Sequence, residues 1–345
     1  MIRGKKRWPA EWEKQSVIQL TWPHLGTDWA DVYEEILDCY KQLVMAITQF
    51  QPLLVVAQDI ESVESILSTL SCDYPTKVVE VSSNDTWARD HAPLSIFHGE
   101  KREILDYKFN GWGLKFASNL DNLIGKSLYK QRVFHPSVER RSNLDFVLEG
   151  GAVESDGAGT CMTTTTCLLS ENRNETYLKE DIEARLSSDL GVDHFLWLES
   201  GALQGDDTDS HIDTLARFVS KDTIVYQSCD DPNDDHYKVL DAMKKELSRF
   251  RDRDGQPYNL VALPWPSAKY DEKMRLPATY ANFLILNGAV LVPTYQDEKD
   301  EEAVSILQDC FPERKVIGID CRVLIKQHGS LHCVTMQYPE GFILM

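Results

Sequence analysis

Short apolar runs rich in β-branched residues alternate with amphipathic stretches along almost the whole 345-residue sequence. Runs of the first kind predict strands, and stretches of the second kind predict helices. The predicted strands cover residues 16–22, 52–57, 77–81, 144–148, 195–198, 223–227, 260–263, 281–286, 289–292 and 316–319. The predicted helices cover residues 29–50, 60–70, 120–129, 176–190, 235–250 and 301–311. This alternation indicates the α/β class, but it does not separate a doubly wound sheet from a barrel or a propeller.

The helical predictions depend on spacings that bring apolar residues onto one face, as at Val32 and Ile36. Asp59 and Asp300 stand at the starts of two of these stretches, where they predict helix N-caps. No long linker or low-complexity segment divides the chain. We therefore expect a single catalytic domain over residues 1–345.

Composition and charge exclude several classes of protein. The sequence is 42% hydrophobic and 26% charged, which is ordinary for a globular chain and excludes disordered and fibrous proteins. Its formal net charge of −19 argues against a nucleic-acid or anionic-membrane partner and weakly favours cationic ligands. No apolar run approaches the ~20 residues that cross a bilayer. The basic N-terminus lacks the apolar stretch of a secretory signal, so we expect a cytoplasmic protein.

Two common nucleotide-binding motifs are missing, and the cysteines follow no metal or disulfide pattern. The sequence contains neither GxGxxG after an early strand nor a Walker-type GxxxxGK[ST]. Its eight cysteines are scattered without a CxxC pair. In a cytoplasmic chain most of them should be buried, unreactive thiols, which leaves the question of whether one of them differs.

Reactive polar residues gather in four short segments at the ends of apolar runs. The segments read NDTWARDHAP, LEGG, DSHID and QHGSLHC, and their marker residues are Asp90, Glu149, His211 and Cys333. The markers are about 60 residues apart, or twice that for the last pair, as in a chain of repeated supersecondary modules. Such modules would each direct one loop toward a common centre.

Cys333 is the candidate nucleophile among the cysteines. It lies in a turn of small residues before an alternating, strand-like run, and Gly329 allows a close backbone approach there. A cysteine becomes nucleophilic when a positive charge or a base holds it as the thiolate. His211 or a bound cation could supply that partner. The alternative is that Cys333 is one more buried thiol.

The pair His211-x-Asp213 predicts two side chains on the same face of a strand. A histidine beside a carboxylate can transfer protons and bind a cation. The same pair also resembles a metal motif, because Asp206, Asp207 and Asp209 lie just upstream. A metal site, nucleophilic chemistry and a purely structural role all remain open at this point.

A second possible metal pair is His328 and His332, which would need a helix to face the same way. Gly329 and the strand-like run that follows make that helix unfavourable. If the acidic run 206–209 is only a solvated loop, neutralising Asp206 or Asp207 should change little.

Asp90 and Glu149 are weak signals when each is taken alone. Asp90 follows an arginine and could be a surface ion pair, whereas Glu149 precedes two glycines that could turn it inward. Several carboxylates, a histidine and a cysteine at one centre would suit a guanidinium, which is planar, cationic and bound bidentately by carboxylates.

Taken together, these segments resemble the agmatine deiminase and Porphyromonas-type peptidyl-arginine deiminase family of the pentein superfamily. The resemblance extends from Pro9 to Pro339. It is carried by PAEWE, LTWPH, NDTWARDHAP, FNGWG, LEGGAVESDGAGT, HID, LPATYANFLILNGAVLVPTYQDEKDEEA and GSLHCVTMQYP. It implies a five-bladed α/β propeller of ββαβ modules around a central funnel.

The resemblance also implies a reaction and the residues that perform it, without a metal or organic cofactor. A guanidine would be hydrolysed to a urea and ammonia through a covalent thiouronium on the cysteine. The roles carried over are Cys333 as nucleophile, His211 as acid and base, Asp90 and Asp213 as guanidinium ligands, Glu149 as an assisting carboxylate, and Trp87 and Trp112 as substrate-binding residues. Three positions depart from the family pattern: His91-Ala92, Ser210 and Gln327-His328.

Agmatine is the expected substrate, because we find no positive group for the carboxylate of free arginine. Peptidyl-arginine is a second guanidine alternative. From other classes, the alternatives are a metal-dependent hydrolase using the His211 and Asp213 acidic loop, and a propeller that only binds its ligand. The resemblance also favours a homo-oligomer.

Overall fold

The computed structural model describes residues 5–345 and contains one supersecondary unit five times. Each unit has an antiparallel strand pair followed by a helix and a strand parallel to the second of the pair. The five sheets are numbered here in the order of their helices. The first contains Thr335–Pro339, Gln15–Thr21, Leu53–Ala57 and Thr76–Glu80, and the second contains Lys6–Arg7, Leu94–His98, Lys101–Lys108 and Val138–Val147. The third contains Val153–Ser155, Thr160–Thr164 and His194–Leu198, the fourth Ala216–Phe218, Thr223–Gln227 and Asn259–Leu263, and the fifth Leu284–Ile285, Ala289–Thr294 and Lys315–Asp320. A separate hairpin pairs Lys269–Asp271 with Met274–Leu276.

Five helices make the connections between parallel strands. They are Tyr33–Ile47, Ile124–Lys130, Lys179–Leu190, Tyr237–Leu247 and Asp300–Cys310. Shorter helical elements fill the remaining connections. These are the α-helices Ile60–Leu67, Ala88–His91, Gly111–Leu114, Thr165–Leu168 and Glu171–Asn174, and the 3₁₀ turns Ala30–Val32, Asp121–Leu123, Gly150–Ala152, Ile212–Thr214 and Leu324–Gln327.

The helix Tyr33–Ile47 illustrates why these connections pack on the sheets. Ile36, Leu43 and Ile47 recur at helical spacing and are fully buried in the core. The strand Leu53–Ala57, which follows this helix, is buried along its whole length. Both partners thus remove apolar surface from water, which is the main favourable contribution to such packing.

The first sheet joins the two ends of the described chain. Thr335–Pro339 pairs antiparallel with Gln15–Thr21, so a strand from the end of the sequence completes the first module. Cys333 lies in the turn directly before Thr335–Pro339, and this pairing fixes its position. None of the helices between residues 5 and 345 has the length and apolar character that a membrane crossing requires.

The α/β class and the ββαβ unit predicted from the sequence are confirmed, whereas the closed ring of five blades stays a prediction. All ten predicted strands and all six predicted helices overlap observed elements. Eight of the strands that the structure describes were missed. Five of them have only two or three residues: Lys6–Arg7, Val153–Ser155, Ala216–Phe218, Lys269–Asp271 and Met274–Leu276. The other three have two or more polar residues each: Leu94–His98, Lys101–Lys108 and Thr160–Thr164.

One of the two predicted helix caps is correct. The carboxylate of Asp59 accepts a hydrogen bond from the backbone N–H of Ser62 at 3.1 Å, as an N-cap does. The prediction for Asp300 is wrong, because this residue is already inside the helix. Its carboxylate instead accepts hydrogen bonds from the Tyr280 hydroxyl and the backbone N–H groups of Tyr295 and Asp297.

Candidate active site

Three of the predicted site residues, Asp90, His211 and Asp213, surround Gly151. A Cβ atom at Gly151 would lie 2.7 Å from His211 Nδ1, 2.8 Å from Asp90 Oδ1 and 3.2 Å from Asp213 Oδ2. Only a residue without a side chain fits this position. The 3₁₀ turn Gly150–Ala152 therefore brings groups from three modules into one buried site.

Cys333 is buried and lies beside the Asp213 carboxylate. Its Sγ donates to Asn282 Oδ1 at 3.3 Å and is 3.9 Å from Asp213 Oδ2. Burial raises the pKa of this thiol well above its ordinary value, and the charges of Asp213 and Asp90 raise it further. In the free protein the thiol is therefore protonated, and a cation in the site would favour its ionisation.

Asp90 lies in the one-turn helix Ala88–His91, and both of its carboxylate oxygens are occupied. Oδ1 accepts from the Gly151 N–H at 3.0 Å, and Oδ2 accepts from Trp112 Nε1 at 2.9 Å. Burial raises the pKa of Asp90 to about 6; the positive charge of His211 opposes this effect and the charge of Asp213 adds to it. The hydrogen bond from Trp112 holds the Asp90 carboxylate in place.

The prediction that His211 and Asp213 share a face of a strand is wrong. His211 precedes the 3₁₀ turn Ile212–Thr214, and Asp213 is inside that turn. The cause lies upstream, where Asp209 and Ser210 both have positive φ values, 66° and 65°, which end any extended run. The turn still brings both side chains to the same site.

The acidic run is not the solvated loop that the sequence suggested. Asp206 accepts hydrogen bonds from the Thr208 N–H and hydroxyl and from the Ser210 N–H. Thr208 in turn accepts from the backbone N–H of His211 at 3.1 Å. Asp206 thus shapes the loop that presents His211.

His211 is fully buried among groups that favour its charged form. Its Nδ1 lies 3.6 Å from Asp90 Oδ1, and ligand atoms of Glu149, Cys167 and His211 all lie within 4.8 Å of one another. Burial alone would lower the pKa of His211, but the charges of Asp90 and Glu149 and the contact with Cys167 raise it well above the usual value. An imidazolium of this kind can donate a proton.

Glu149 is held by Arg173, a residue that the sequence did not single out. Arg173 Nε donates to both carboxylate oxygens of Glu149, at 2.9 and 3.0 Å, and both side chains are fully buried. Its Nη1 and Nη2 donate to Asp209 and to the Thr208 carbonyl at 2.6 and 2.8 Å. Arg173 therefore joins Glu149 to the loop that carries His211.

The donor set does not favour the metal alternative. Within residues 5–345, Glu149, Cys167 and His211 form the one group of three that could hold an ion, and Asp206, Asp207 and Asp213 are not in it. Both oxygens of Glu149 already accept from the Arg173 guanidinium, whose positive charge would oppose a bound cation.

The two histidines suggested as a zinc pair have separate partners. His328 Nδ1 lies 2.7 Å from the Gly205 carbonyl oxygen, whereas His332 lies between two carboxylates. His328 also has a positive φ of 68°, at the end of the turn Leu324–Gln327, so the helix that both would need is missing.

Asn282 is the second site residue that the sequence did not reveal. Its Oδ1 accepts from the backbone N–H groups of His332 and Cys333 at 2.9 and 3.3 Å, as well as from the Cys333 thiol. Its Nδ2 donates to the Asp213 carbonyl at 3.2 Å. One amide therefore fixes the cysteine loop relative to the aspartate turn.

An open cavity leads to Cys333 and Asp90. Trp87, Trp112 and Phe116 form its aromatic walls, which places both predicted tryptophans at the pocket. The rings of Trp87 and Trp112 meet edge to face with centroids 6.4 Å apart.

The lining of this cavity is acidic. Asp28, Asp85 and Asp207 line it, and no lysine or arginine is among the lining residues that the structure describes. Burial raises the pKa of Asp85 to about 6 and also raises that of Asp207. Carboxylates in this condition gain when a cation enters the cavity, because its charge offsets their lost hydration.

Comparison with known proteins gives the family. The Porphyromonas-type peptidyl-arginine deiminase model matches residues 7–339. The chain is 33% identical to an agmatine deiminase of Pseudomonas syringae pv. tomato, over 97% of this chain and 95% of the relative.

Two solved structures have the same fold and are more similar in sequence. One, provisionally named an arginine deiminase, is from Porphyromonas gingivalis; it is 50% identical with a TM-score of 0.93, covering 99% of this chain and 100% of the other. The other is a C. jejuni agmatine deiminase, a cysteine-to-serine variant with substrate bound, 38% identical with a TM-score of 0.91 and covering 97% of both chains. The chain described here belongs to the Porphyromonas-type peptidyl-arginine deiminase family, within the pentein fold.

Proposed function

We propose that this chain is a single catalytic domain that hydrolyses agmatine to N-carbamoylputrescine and ammonia through a covalent intermediate on Cys333. The observation that carries the proposal is the buried Cys333, which lies near Asp90 and Asp213 and lines a pocket with acidic walls. Full-length similarity to agmatine deiminases of two organisms supports the same substrate.

The first step is attack of the Cys333 thiolate on the guanidinium carbon. Asp90 and Asp213 hold the guanidinium, and its positive charge offsets the two carboxylates that otherwise raise the pKa of the thiol. His211 enters as the imidazolium and gives its proton to the departing nitrogen, which leaves as ammonia. Cys333 is then bound to the substrate carbon as a thiouronium.

The second step is attack of water on the thiouronium carbon. His211, now neutral, takes one proton of the water, and the C–S bond breaks to return the Cys333 thiolate. The water oxygen becomes the carbonyl of the urea, and its second proton restores the Cys333 thiol when the product leaves. The proton that this thiol lost to solvent when agmatine bound is the one that converts the released ammonia to ammonium. Charges and atoms balance because agmatine enters with two positive charges and N-carbamoylputrescine leaves with one.

The carboxylates of the pocket lining are the reason for proposing agmatine rather than arginine. Agmatine carries an ammonium at the end opposite its guanidinium, and Asp28, Asp85 and Asp207 would surround that end with negative charge. The carboxylate of free arginine, or the carbonyl oxygens of a peptide, would meet the same groups and find no arginine or lysine among the described lining residues.

The test is ammonia release from agmatine, arginine, an arginyl peptide and butylguanidine, which lacks the distal ammonium. We expect kcat/KM for agmatine to exceed each of the others by at least ~10-fold, the order of one charge-assisted contact. Cys333→Ala should abolish release from all four compounds, whereas Cys161→Ala should keep it, since Cys161 is a buried thiol outside the site.

Two outcomes would contradict the proposal. Full turnover by Cys333→Ala would exclude the covalent mechanism. Equal kcat/KM values for agmatine and butylguanidine, with no change in Asp207→Asn, would exclude recognition of the distal ammonium by the acidic wall.

A further inference from the structure

The side chain of His332 joins the candidate site to a buried charged network beneath it. Its Nδ1 lies 2.7 Å from Asp213 Oδ2, and its Nε2 lies 2.7 Å from Glu11 Oε2. The side chain is 2% exposed. Since a carboxylate can only accept, both ring nitrogens donate, and neither is left to exchange protons with a substrate.

Glu11, on the far side of the ring, is itself immobilised. Its Oε2 accepts from Arg217 Nη2 at 2.9 Å, and its Oε1 accepts from the backbone N–H of Ile285 at 2.7 Å. Arg217 is fully buried and also donates to Glu154 at 2.9 Å and to the Phe283 carbonyl at 2.7 Å. The His332 ring is therefore fixed from a rigid base.

Asp213 has one occupied and one free oxygen as a result. Oδ2 accepts from His332, whereas Oδ1 is buried without a hydrogen-bond partner among residues 5–345. Burial alone would raise the pKa of Asp213, but the hydrogen bond and charge of His332, with His211 and Arg217, lower it. The carboxylate is kept ionised and in one orientation, with an unused acceptor at its buried Oδ1.

We propose that His332 is a positioning residue, which holds Asp213 in the orientation that binds the guanidinium, with Glu11 as its anchor. The inference rests on the proposed function, because it assumes that Asp213 binds a guanidinium beside Cys333. His332 does not touch the reacting atoms. Its effect passes through Asp213, so its loss should disturb substrate binding and the alignment of the carbon with the thiol together.

Two substitutions of His332 distinguish the positioning of Asp213 from a structural role in the buried charged network. The amide nitrogen of asparagine lies close to the position of a histidine Nδ1, and that of glutamine close to Nε2. His332→Asn therefore keeps a donor toward Asp213, whereas His332→Gln keeps a donor toward Glu11. The positioning role requires the contact with Asp213, whereas a structural role in the network requires the contact with Glu11.

We expect kcat/KM for agmatine to fall less than ~10-fold in His332→Asn and at least ~100-fold in His332→Gln, with a higher KM and a lower kcat in the second variant. Equal losses, or a greater loss in His332→Asn, would overturn the inference. Ammonia release by the unaltered protein tests the proposed function separately, because the inference concerns only the ratio between the two variants.

Agmatine affinity gives a readout that stability alone would not change. In a Cys333→Ala background, His332→Gln should weaken agmatine binding, but after Asp213→Asn it should weaken binding no further. Additive losses would overturn the inference. Should His332→Gln unfold, His332→Asn decides alone: a loss of kcat/KM below ~10-fold is expected, because its amide keeps the donor toward Asp213, and a loss of ~100-fold would overturn the inference.

Discussion

At the scale of single residues, Asp90 and Asp213 show how two buried carboxylates in one site acquire opposite properties. Burial by itself would raise the pKa of both carboxyls. The net pKa of Asp90 is raised to about 6, whereas the net pKa of Asp213 is lowered. Asp213 has His332 at 2.7 Å, whereas Asp90 accepts from the neutral N–H groups of Gly151 and Trp112. The surrounding charges, and not burial, decide the difference: His332, His211 and Arg217 all lower the pKa of Asp213, whereas the charges of Asp213 and Glu149 oppose that of His211 at Asp90.

Asp90→Asn should change two rates in opposite directions. Turnover of agmatine should fall by at least ~100-fold, because a charged contact to the guanidinium is lost. Alkylation of Cys333 by the neutral reagent iodoacetamide should become at least ~3-fold faster at pH 7.5, because a nearby negative charge that raises the thiol pKa is removed.

Mass spectrometry can assign the alkylated cysteine, and Asp38→Asn on an exposed helix face is the control in which neither rate should change. If alkylation slowed in Asp90→Asn, then Asp90 would not be one of the charges that hold the thiol protonated.

At the scale of elements, the repeated unit explains where the site residues lie. Each stands in the turn that leads into the first strand of a module. The five positions, in chain order, are Asp90 before Leu94–His98, Glu149 before Val153–Ser155, Asp213 before Ala216–Phe218, Asn282 before Leu284–Ile285, and Cys333 before Thr335–Pro339. Five equivalent turns thus contribute one polar residue each to a common site.

This repeat also shows how far the sequence could lead. The spacing of about 60 residues identified four of the five turns, and the double gap before Cys333 indicated that a module stood between. Asn282 was missed because an amide is neither titratable nor nucleophilic, and because the predicted strand 281–286 placed it inside a strand.

Other parts of the site could not be predicted from local sequence. The contacts of His332 with Glu11 and of Arg173 with Glu149 join residues far apart in the chain. The turn at His211 depends on positive φ values at Asp209, where sequence patterns favour an extended run. Long-range pairing and loop conformation are set by the fold as a whole.

Gly151→Ala tests the turn that follows Glu149. Its Cβ atom would lie within 3.2 Å of His211, Asp90 and Asp213, so these groups must move apart. Because small misplacements of reacting groups are costly, we expect kcat/KM to fall at least ~100-fold. Gly26→Ala is the matched control, since its Cβ atom would meet only the His24 ring, at 3.1 Å, in an exposed loop. Normal turnover by Gly151→Ala would show that the three groups do not need their present positions.

At the scale of the whole molecule, buried carboxyls add to the effect of a strongly acidic composition. The net charge is −19, and burial raises the pKa of Asp85 and Asp90 to about 6 and that of Asp121 to about 7. A pKa that is higher in the folded state means that folding favours the protonated carboxyl. Each such group stabilises the fold fully below its ordinary pKa of about 3.8, and that contribution is lost as the pH rises to 6 or 7.

Asp121 allows this effect to be measured without breaking a contact. Its Oδ1 accepts the backbone N–H groups of Asn84 and Asp85, and the amide oxygen of Asp121→Asn can accept both. At pH 8 we expect this variant to be more stable than the unaltered protein by roughly 2 to 4 kcal/mol, from a pKa difference of about three units. At pH 4 the gain should vanish, because the carboxyl is then protonated in the folded protein. Urea unfolding at both pH values, in high salt to screen surface charges, measures the gain. An equal gain at both pH values would mean that it does not come from the ionisation of Asp121.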